Sequence, residues 1–271
     1  MFLKNTINKL LFRRKNNPVD VNNCNIFEEL SYKEYIKNPD ILDEYLCNHY
    51  DYNYHLKFFS FRKFFKLPQA FETYIYYMKN YYPSFQIDKD DIVIDIGAHH
   101  GIFTINMAYN RAQVHSFEPN PMSYEILRKN VNINKFVRAP IINNFAVSNI
   151  DHKIVNFDLG VRSTAGSIKN LKNESLRSGE KIEVNTVTID QYIKDVQLKE
   201  IKLLKMDCEG AEYDIFNSSK YIRDIEYLIV EAHEIQDNNP SDLINKLSLN
   251  GFEVNKVKAN YGAYELYCRK K

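Results

Sequence analysis

Two patterns of apolar and polar positions divide the chain near residue 85. Before it, the sequence has no glycine, and "EELSYKEYI" and "ILDEYLCNHY" carry apolar residues at helical spacing. A dense aromatic tract follows, from "YDYNYHLKFF" to "MKNYYPSF". From Asp91 onward, short apolar runs alternate with amphipathic segments. The pattern predicts a mainly helical region over residues 1–85 and an α/β domain over residues 86–271.

The second part predicts five buried strands, in "DIVIDIG", "AQVHSFEP", "APIINNFAVS", "IKLLKMD" and "IEYLIVEAH". Helices are predicted over "GIFTINMAYN", "PMSYEILRKNVNIN", "GAEYDIFNS" and "PSDLINKLSLNG". Period-two alternation from "DHKIVNFDLG" to "IEVNTVTID" predicts an antiparallel excursion. The last residues predict an antiparallel hairpin that turns near residues 260–262. The predicted fold is therefore a doubly wound, mainly parallel sheet of seven strands with a terminal hairpin.

Composition excludes several classes of protein. A formal net charge of +1 argues against nucleic acid as a partner, because a broad grip on phosphates needs a basic excess. The four cysteines are far apart and form no C-x-x-C pair, which indicates reduced thiols in a cytoplasmic protein. No apolar run reaches the roughly 18 to 20 residues of a membrane span.

Two interaction surfaces are predicted in the N-terminal part. In residues 1–15, apolar residues share one face of a basic amphipathic helix, which suits either peripheral contact with an anionic membrane or packing on the protein: Leu3, Ile7, Leu10 and Leu11. Lys9 interrupts the apolar run, so this is not a secretory signal. The aromatic residues from Phe58 to Tyr82 offer a face for a homodimer.

The stretch "DIGAHHG" holds two of the chain's eight glycines. It follows a predicted strand, and in open α/β sheets ligands bind beyond the carboxyl ends of the strands. Gly97 allows a sharp turn and Gly101 a close approach. The middle glycine of a dinucleotide motif is missing, and Asp95 would repel a pyrophosphate but suits an ammonium group.

Glu118, in "FEPNP", ends the next predicted strand, where its carboxylate can accept both hydroxyls of a ribose. A ligand with a ribose and a cationic amino acid end is S-adenosylmethionine. The alternative is structural, since two spaced glycines can serve helix packing alone and Asp95 can be an ordinary loop residue.

Five segments in order resemble the FkbM family of S-adenosylmethionine-dependent methyltransferases, within the Rossmann-like class I group. They are "VIDIGAHHGIFTINMA", "SFEPNPMSYEILRKNV", "NNFAVS", "LLKMDCEGAEYDIF" and "LIVEAHE". The most specific part is "KMDCEGAE", inside the fourth segment. The resemblance covers roughly residues 70–268. It implies methyl transfer, usually to an oxygen, with glycans, polyketides and lipids among the family's substrates.

The resemblance also implies site residues. Carried over by position, the cofactor residues are Asp95, Gly97, Ala98, His99, Gly101, Glu118, Pro119, Asn144, Ala146 and Asp207. By this resemblance, Asp95, Gly97 and Gly101 line the methionine end of the cofactor, Glu118 holds the ribose, and residues 144–146 lie near the adenine. The family usually has Asn where this chain has His99. His100 is expected to face solvent or to begin the helix.

Methyl transfer to a hydroxyl needs a base at the same strand ends. The candidates are Asp207, Glu209 and His233, and His233 has the most useful ordinary pKa. Glu209 with Glu212 also suits a helix start. Together with Glu231, the three candidates suit magnesium or manganese, but no spacing signature marks a metal site, so no metal ligand is assigned.

The predicted function is methyl transfer to a hydroxyl of a sugar, a glycan or a related small natural product. A polar stretch is either a substrate loop or a solvated turn: Arg162, Ser163, Thr164, Lys169 and Lys172. The alternatives are a nitrogen or nucleic-acid acceptor, a nicotinamide-dependent oxidoreductase, and a non-catalytic scaffold. "MDCEG" lacks the N/D-P-P-Y/F pattern of amino-group methylation, which disfavours the first of these.

Overall fold

The computed structural model describes residues 30–51, 56–61, 85–160, 165–169, 177–235, 238–258 and 263–271. The chain divides into two compact units, residues 1–78 and residues 79–271. Several sequence predictions fall outside the described residues: those for residues 1–15, most of the aromatic tract, the hairpin turn, Arg162, Ser163, Thr164 and Lys172. In the described part of the chain, no helix is both long and apolar enough to cross a membrane.

The first unit combines short helices with a two-stranded sheet. Helix α1 (Tyr32–Lys37) begins at Ser31, whose side chain accepts from the Glu34 amide in a capping box. A 3-10 helix covers Pro39–Tyr45, and strands β1 (Leu46–Asp51) and β2 (Leu56–Phe61) then pair antiparallel. The helix predicted over residues 41–50 is therefore wrong from Leu46 onward. Strand pairing satisfies the backbone there, and Phe58 and Ser60 are buried with the period of a strand.

The second unit contains ten strands in chain order among its described residues. They are β3 (Ile92–Ile96), β4 (Gln113–Phe117), β5 (Ile141–Asn143), β6 (Ala146–Val147), β7 (Ile154–Asp158), β8 (Lys181–Val187), β9 (Ile201–Met206), β10 (Tyr227–Ala232), β11 (Phe252–Lys258) and β12 (Tyr264–Lys270). Seven of them form one sheet in the order β11-β12-β10-β9-β3-β4-β5. β5, β4, β3, β9 and β10 run parallel, and β12 is antiparallel to both β10 and β11. The predicted Rossmann-like, mainly parallel sheet with its terminal hairpin is confirmed.

The remaining strands form a small sheet of order β6-β8-β7, in which β7 and β8 are antiparallel as predicted. The single strand predicted over "APIINNFAVS" is wrong, because β5 pairs with β4 while β6 pairs with β8. Two asparagines divide the strand, Asn143 at the end of β5 and Asn144 directly after it. The Asn143 side chain donates to the Ser116 carbonyl at 3.0 Å, and the Asn144 side chain donates to the Glu118 carbonyl at 2.8 Å.

Five α-helices connect these strands in the described residues: α2 (Ile102–Tyr109), α3 (Pro121–Ile133), α4 (Ile189–Val196), α5 (Glu212–Ser218) and α6 (Pro240–Leu249). A 3-10 helix covers Ile222–Asp224. α3 begins at Asn120, whose side chain accepts from the amides of Met122 and Ser123, with Pro121 in the first position. The core lies on the central strands, where Ile94, Leu204 and Leu228 are fully buried.

The carboxyl ends of β3, β4, β9 and β10 meet at one edge of the seven-stranded sheet, because these strands are parallel neighbours. We call this the carboxyl edge. The strand order reverses between β3 and β9, so the crossover point of the sheet lies there. A ligand site is expected at such a point.

Candidate active site

Gly97 forms the turn that leaves β3 at the carboxyl edge. Its φ is +78°, and a Cβ built on it would lie 1.7 Å from the carbonyl oxygen of Asp207. The amides of Gly97 and Ala98 both donate to the Phe117 carbonyl, at 3.0 and 2.9 Å. The backbone after β9 therefore passes so close to this turn that only glycine fits.

Gly101 precedes α2 with a φ of +89°, and a Cβ there would lie 2.3 Å from Cδ1 of Leu127. Its amide donates to the Ala98 carbonyl at 2.8 Å. The amides of Gly97, Ala98 and Gly101 are thus all used inside the protein. A pyrophosphate site needs such amides to point at the ligand, so this loop is not built for a dinucleotide.

Asp95, the last residue but one of β3, is fully buried. Its Oδ2 accepts from the Thr104 hydroxyl at 2.6 Å, and its Oδ1 lies 3.4 Å from Nζ of Lys205. Oδ1 has no hydrogen-bond partner among the described residues. Burial raises the pKa of Asp95, against the opposing charge of Lys205. This carboxylate was predicted to suit a ligand's ammonium, but Lys205 occupies the adjacent position.

Glu118 joins the ends of β3 and β4. Its Oε2 accepts from the His99 amide at 2.8 Å and its Oε1 from the Asn120 amide at 2.9 Å. The side chain is buried, and burial raises the pKa of Glu118 to about 7. Each oxygen keeps a second lone pair. The ionised group can therefore accept further hydrogen bonds, as ribose hydroxyls would require.

The two histidines of "DIGAHHG" stack with ring centroids 3.6 Å apart. His99 is partly exposed with a φ of +50°, and burial lowers its pKa to about 3. Burial also lowers the pKa of His100 well below its ordinary value. Of the two positions expected for His100, the one facing solvent is wrong, because His100 is buried and lies two residues before the first residue of α2. The cause is local, because its ring packs on His99 while its carbonyl accepts from the Asn130 side chain at 2.7 Å.

Asn144 and Ala146, which were predicted near the adenine, lie in different environments. The Asn144 side chain is exposed and donates to the carbonyls of Glu118 and Pro119 at 2.8 and 3.1 Å. These contacts bring Asn144 and Pro119 beside Glu118. Ala146 is buried in β6 of the small sheet, where it pairs with Thr186 of β8.

His233 lies at the centre of a group of acidic residues at the ends of β9 and β10. Its Nδ1 is 3.0 Å from Oε1 of Glu212, which is fully buried. Its Nε2 is 3.4 Å from Oε2 of Glu209 and 3.7 Å from Oε1 of Glu231. Glu212, the first residue of α5, also accepts from the Cys208 amide at 3.0 Å, so it holds the turn after β9 as well as His233, and no side chain caps the start of this helix.

The pKa values of the three candidate bases are shifted differently, because their burial and their neighbouring charges differ. Burial acts to lower the pKa of His233, but the charges of Glu212 and Glu209 hold it well above its ordinary value. Burial raises the pKa of Glu209 to about 7. Burial acts to raise the pKa of Asp207 too, but Lys205 and His233 keep it below its ordinary value. The charge of Asp207, with burial, raises the pKa of Glu231 well above its usual range. The acidic neighbours of His233 therefore favour its protonated form, and its ordinary pKa is no argument for a base.

Two residues between β7 and β8 contact the turn after β9 and the helix that follows it. The Ser167 hydroxyl donates to the Glu209 carbonyl at 2.5 Å, and Lys169 pairs with Asp214 of α5. Glu209 itself has a φ of +53° and precedes Gly210 at +103°. Lys169 of the predicted substrate loop therefore lies near the carboxyl edge, and Ser167 was not among the predicted residues.

Asp207, Glu209 and His233 each offer one ligand atom, and these atoms lie within 4.8 Å of one another. Such a set is chemically suited to a divalent cation. A metal would need Nε2 of His233 free of its proton. The acidic neighbours favour the protonated ring, so we assign no metal ligand.

A parallel sheet with a glycine turn and an acidic strand end at its crossover point defines a Rossmann-like, nucleoside-binding class of enzyme. Residues 95–254 match the family described as the methyltransferase FkbM domain. This is more than half of the chain, and the chain belongs to this family of S-adenosylmethionine-dependent methyltransferases. No curated protein matches it.

Several solved structures show a distant likeness. A putative rRNA methylase from Clostridium thermocellum is 11% identical, with 72% of this chain and 94% of that chain covered and a TM-score of 0.45. TYW2 of M. jannaschii, solved with AdoMet, is 18% identical, with coverages of 83% and 84% and a TM-score of 0.42. Precorrin-6y C5,15-methyltransferase from Geobacter metallireducens GS-15 is 13% identical, with coverages of 69% and 85% and a TM-score of 0.42. Likeness at this level carries no substrate over to this chain.

Proposed function

We propose that the chain transfers the methyl group of S-adenosylmethionine to a hydroxyl of a sugar, a glycan or a related small natural product. The observation that carries this proposal is the position of Glu209. It is a partly exposed carboxyl, its pKa is about 7, and it faces His233 at the same sheet edge as the Gly97 turn. A base of this kind is what a hydroxyl acceptor needs.

The residues at the carboxyl edge fit the cofactor. When bound, S-adenosylmethionine supplies an activated methyl group on a sulfonium. Glu118 would hold the two ribose hydroxyls with the lone pairs that its backbone contacts leave free, and Asn144, which donates to the Glu118 carbonyl, would lie near the adenine. The net acidity of the edge favours a ligand that carries positive charge.

Glu209 removes the proton of the acceptor hydroxyl. His233, held by the buried Glu212 through Nδ1, keeps the Glu209 carboxylate in place through Nε2. Asp207 has a lowered pKa, which makes it a weak base but keeps it ionised. We assign Asp207 to hold the cationic end of the cofactor or an acceptor hydroxyl.

The acceptor side of the cluster favours a polyol. The Asp207 and Glu231 side chains remain 32% and 30% exposed, so their oxygens can accept from vicinal hydroxyls. A neutral amine acceptor has no need of a base before the methyl group transfers. The direct test is formation of S-adenosylhomocysteine with a panel of sugars, their deoxy forms and simple amines, with and without Mg²⁺. Turnover with amines alone would overturn the proposal.

Replacing Glu118 with alanine is expected to weaken binding of S-adenosylhomocysteine by about tenfold to a hundredfold, since charge-assisted hydrogen bonds to the ribose are lost. Calorimetric titration measures the change. Glu125→Ala is the matched control, because Glu125 lies on α3 and pairs with Arg128 at 2.6 Å. Equal affinity in the Glu118 and Glu125 variants would remove Glu118 from the cofactor site.

The Glu118→Gln variant is expected to change the pH dependence of stability. The folded pKa of Glu118, about 7, lies above its ordinary 4.5, so the apo protein loses stability as pH rises through this interval. The variant lacks this loss. Its free energy of unfolding relative to the natural protein should therefore rise by on the order of 3 kcal/mol between about pH 4 and pH 8. Urea denaturation at both pH values measures it, and a constant difference would contradict the prediction.

A further inference from the structure

Lys205 brings a buried cation to the carboxyl edge. It lies on β9, next to the strand's last residue, and its side chain is 9% exposed. Its Nζ lies 3.4 Å from each of three acceptors, namely Asp95 Oδ1, Asp207 Oδ2 and the carbonyl oxygen of Gly97. The ammonium also lies 5.9 Å from the centre of the Phe103 ring. It therefore stands between the glycine turn and the end of β9.

Charge makes Lys205 unusual at this edge. In the described part of the chain, the cations that act on Asp95, Asp207, Glu209 and Glu231 are Lys205 and His233. Glu209 and Glu212 flank His233 on both ring nitrogens. A ligand carboxylate entering beside the Gly97 turn would meet repulsion from Asp95 and Asp207. Lys205 is the group on that side that can receive it.

The three distances from Nζ of Lys205 are long for an ammonium. An ammonium in a tight charge-assisted hydrogen bond lies about 2.7 to 2.9 Å from its acceptor. The three contacts of Nζ named above are longer, at 3.4 Å. An ammonium has three donors. A small movement of the side chain would bring one of them onto a ligand oxygen while the ion pairs persist.

We infer that Lys205 binds the carboxylate of the methionine end of the cofactor, while Asp207 and the Gly97 carbonyl receive its ammonium. This rests on the proposed function. It also explains why Asp95 is fully buried: Asp95 holds Lys205 in place and does not contact the ligand. Lys205 thereby distinguishes a zwitterionic amino acid end from a plain aminoalkyl chain.

The test compares three ligands by calorimetry: S-adenosylhomocysteine, its decarboxylated analogue and methylthioadenosine, which has no amino acid end. The natural protein is expected to bind S-adenosylhomocysteine about tenfold or more tighter than the decarboxylated analogue. Lys205→Met should remove this preference and leave methylthioadenosine binding unchanged. The matched control is Lys202→Met, because Lys202 lies on the same strand and pairs with Glu226 at 2.6 Å.

Lys205→Met leaves Asp95 buried without its cation, which can destabilise the fold. Asp95→Asn combined with Lys205→Met removes both charges and should show the same loss of preference. A preference for the carboxylate that survives in either variant overturns the assignment, as does an equal affinity for both ligands in the natural protein. Absence of any S-adenosylhomocysteine binding to the folded natural protein would instead overturn the proposed function, and this inference with it.

Discussion

Replacing Gly97 with alanine is expected to destabilise the second unit by more than about 4 kcal/mol, a size that marks a severe steric conflict. The added Cβ would lie 1.7 Å from the carbonyl oxygen of Asp207 and 2.7 Å from its carbonyl carbon. Neither atom belongs to a flexible side chain, so β3 and β9 would have to separate. That movement would also displace Asp207 and the turn that carries Glu209.

Gly179→Ala is the control for the strain of the backbone alone. Gly179 has a φ of +74°, close to that of Gly97, but a Cβ there meets no described atom within 4 Å. Its replacement should cost only about 1 to 2 kcal/mol, the price of a left-handed conformation for alanine. Urea unfolding of both variants gives the comparison. Similar costs at the two positions would mean that the contact with Asp207 yields easily.

Gly97 and Gly101 show which features of the fold can be predicted from the sequence and which cannot. Their spacing after an apolar run predicts a turn and a close approach, and the structure has both. The atoms they approach, in Asp207 and Leu127, could not be predicted, because tertiary packing brings them there from distant parts of the chain. The same limit explains β1 and β2. Their residues suit a helix or a strand, and the pairing of Leu46 with Phe61 decides between them.

The candidate site also has features that the sequence predicts and features that depend on tertiary packing. Strand ends are readable from apolar runs, so Asp95, Glu118, Asp207 and His233 could be placed at one edge. Lys205 could have been noticed as a charge near the end of an otherwise apolar strand, but its partners come from β3 and the Gly97 turn. The pKa of a side chain depends on its neighbours in space. For this reason the ordinary pKa of His233 was misleading.

Glu209→Gln is expected to reduce methyl transfer to a hydroxyl acceptor by about a hundredfold to ten-thousandfold, the usual contribution of a general base. Binding of S-adenosylhomocysteine should be unchanged, because glutamine keeps the size of the side chain and Glu209 does not contact the cofactor in the proposed arrangement. The assay is formation of S-adenosylhomocysteine with an accepted sugar. Glu234→Gln is the control, since Glu234 is an exposed carboxylate one residue after His233.

The pH profile separates a base from a residue that only supports the turn. Activity of the natural protein should rise with pH through about 7, because Glu209 must lose its proton and burial raises its pKa to that value. His233→Gln removes the cation that favours ionised Glu209, so the midpoint should move to higher pH. A structural role for His233 would lower the rate without moving the midpoint. A midpoint that stays in place in His233→Gln, or full activity in Glu209→Gln, would transfer the role of base to another carboxylate of the cluster.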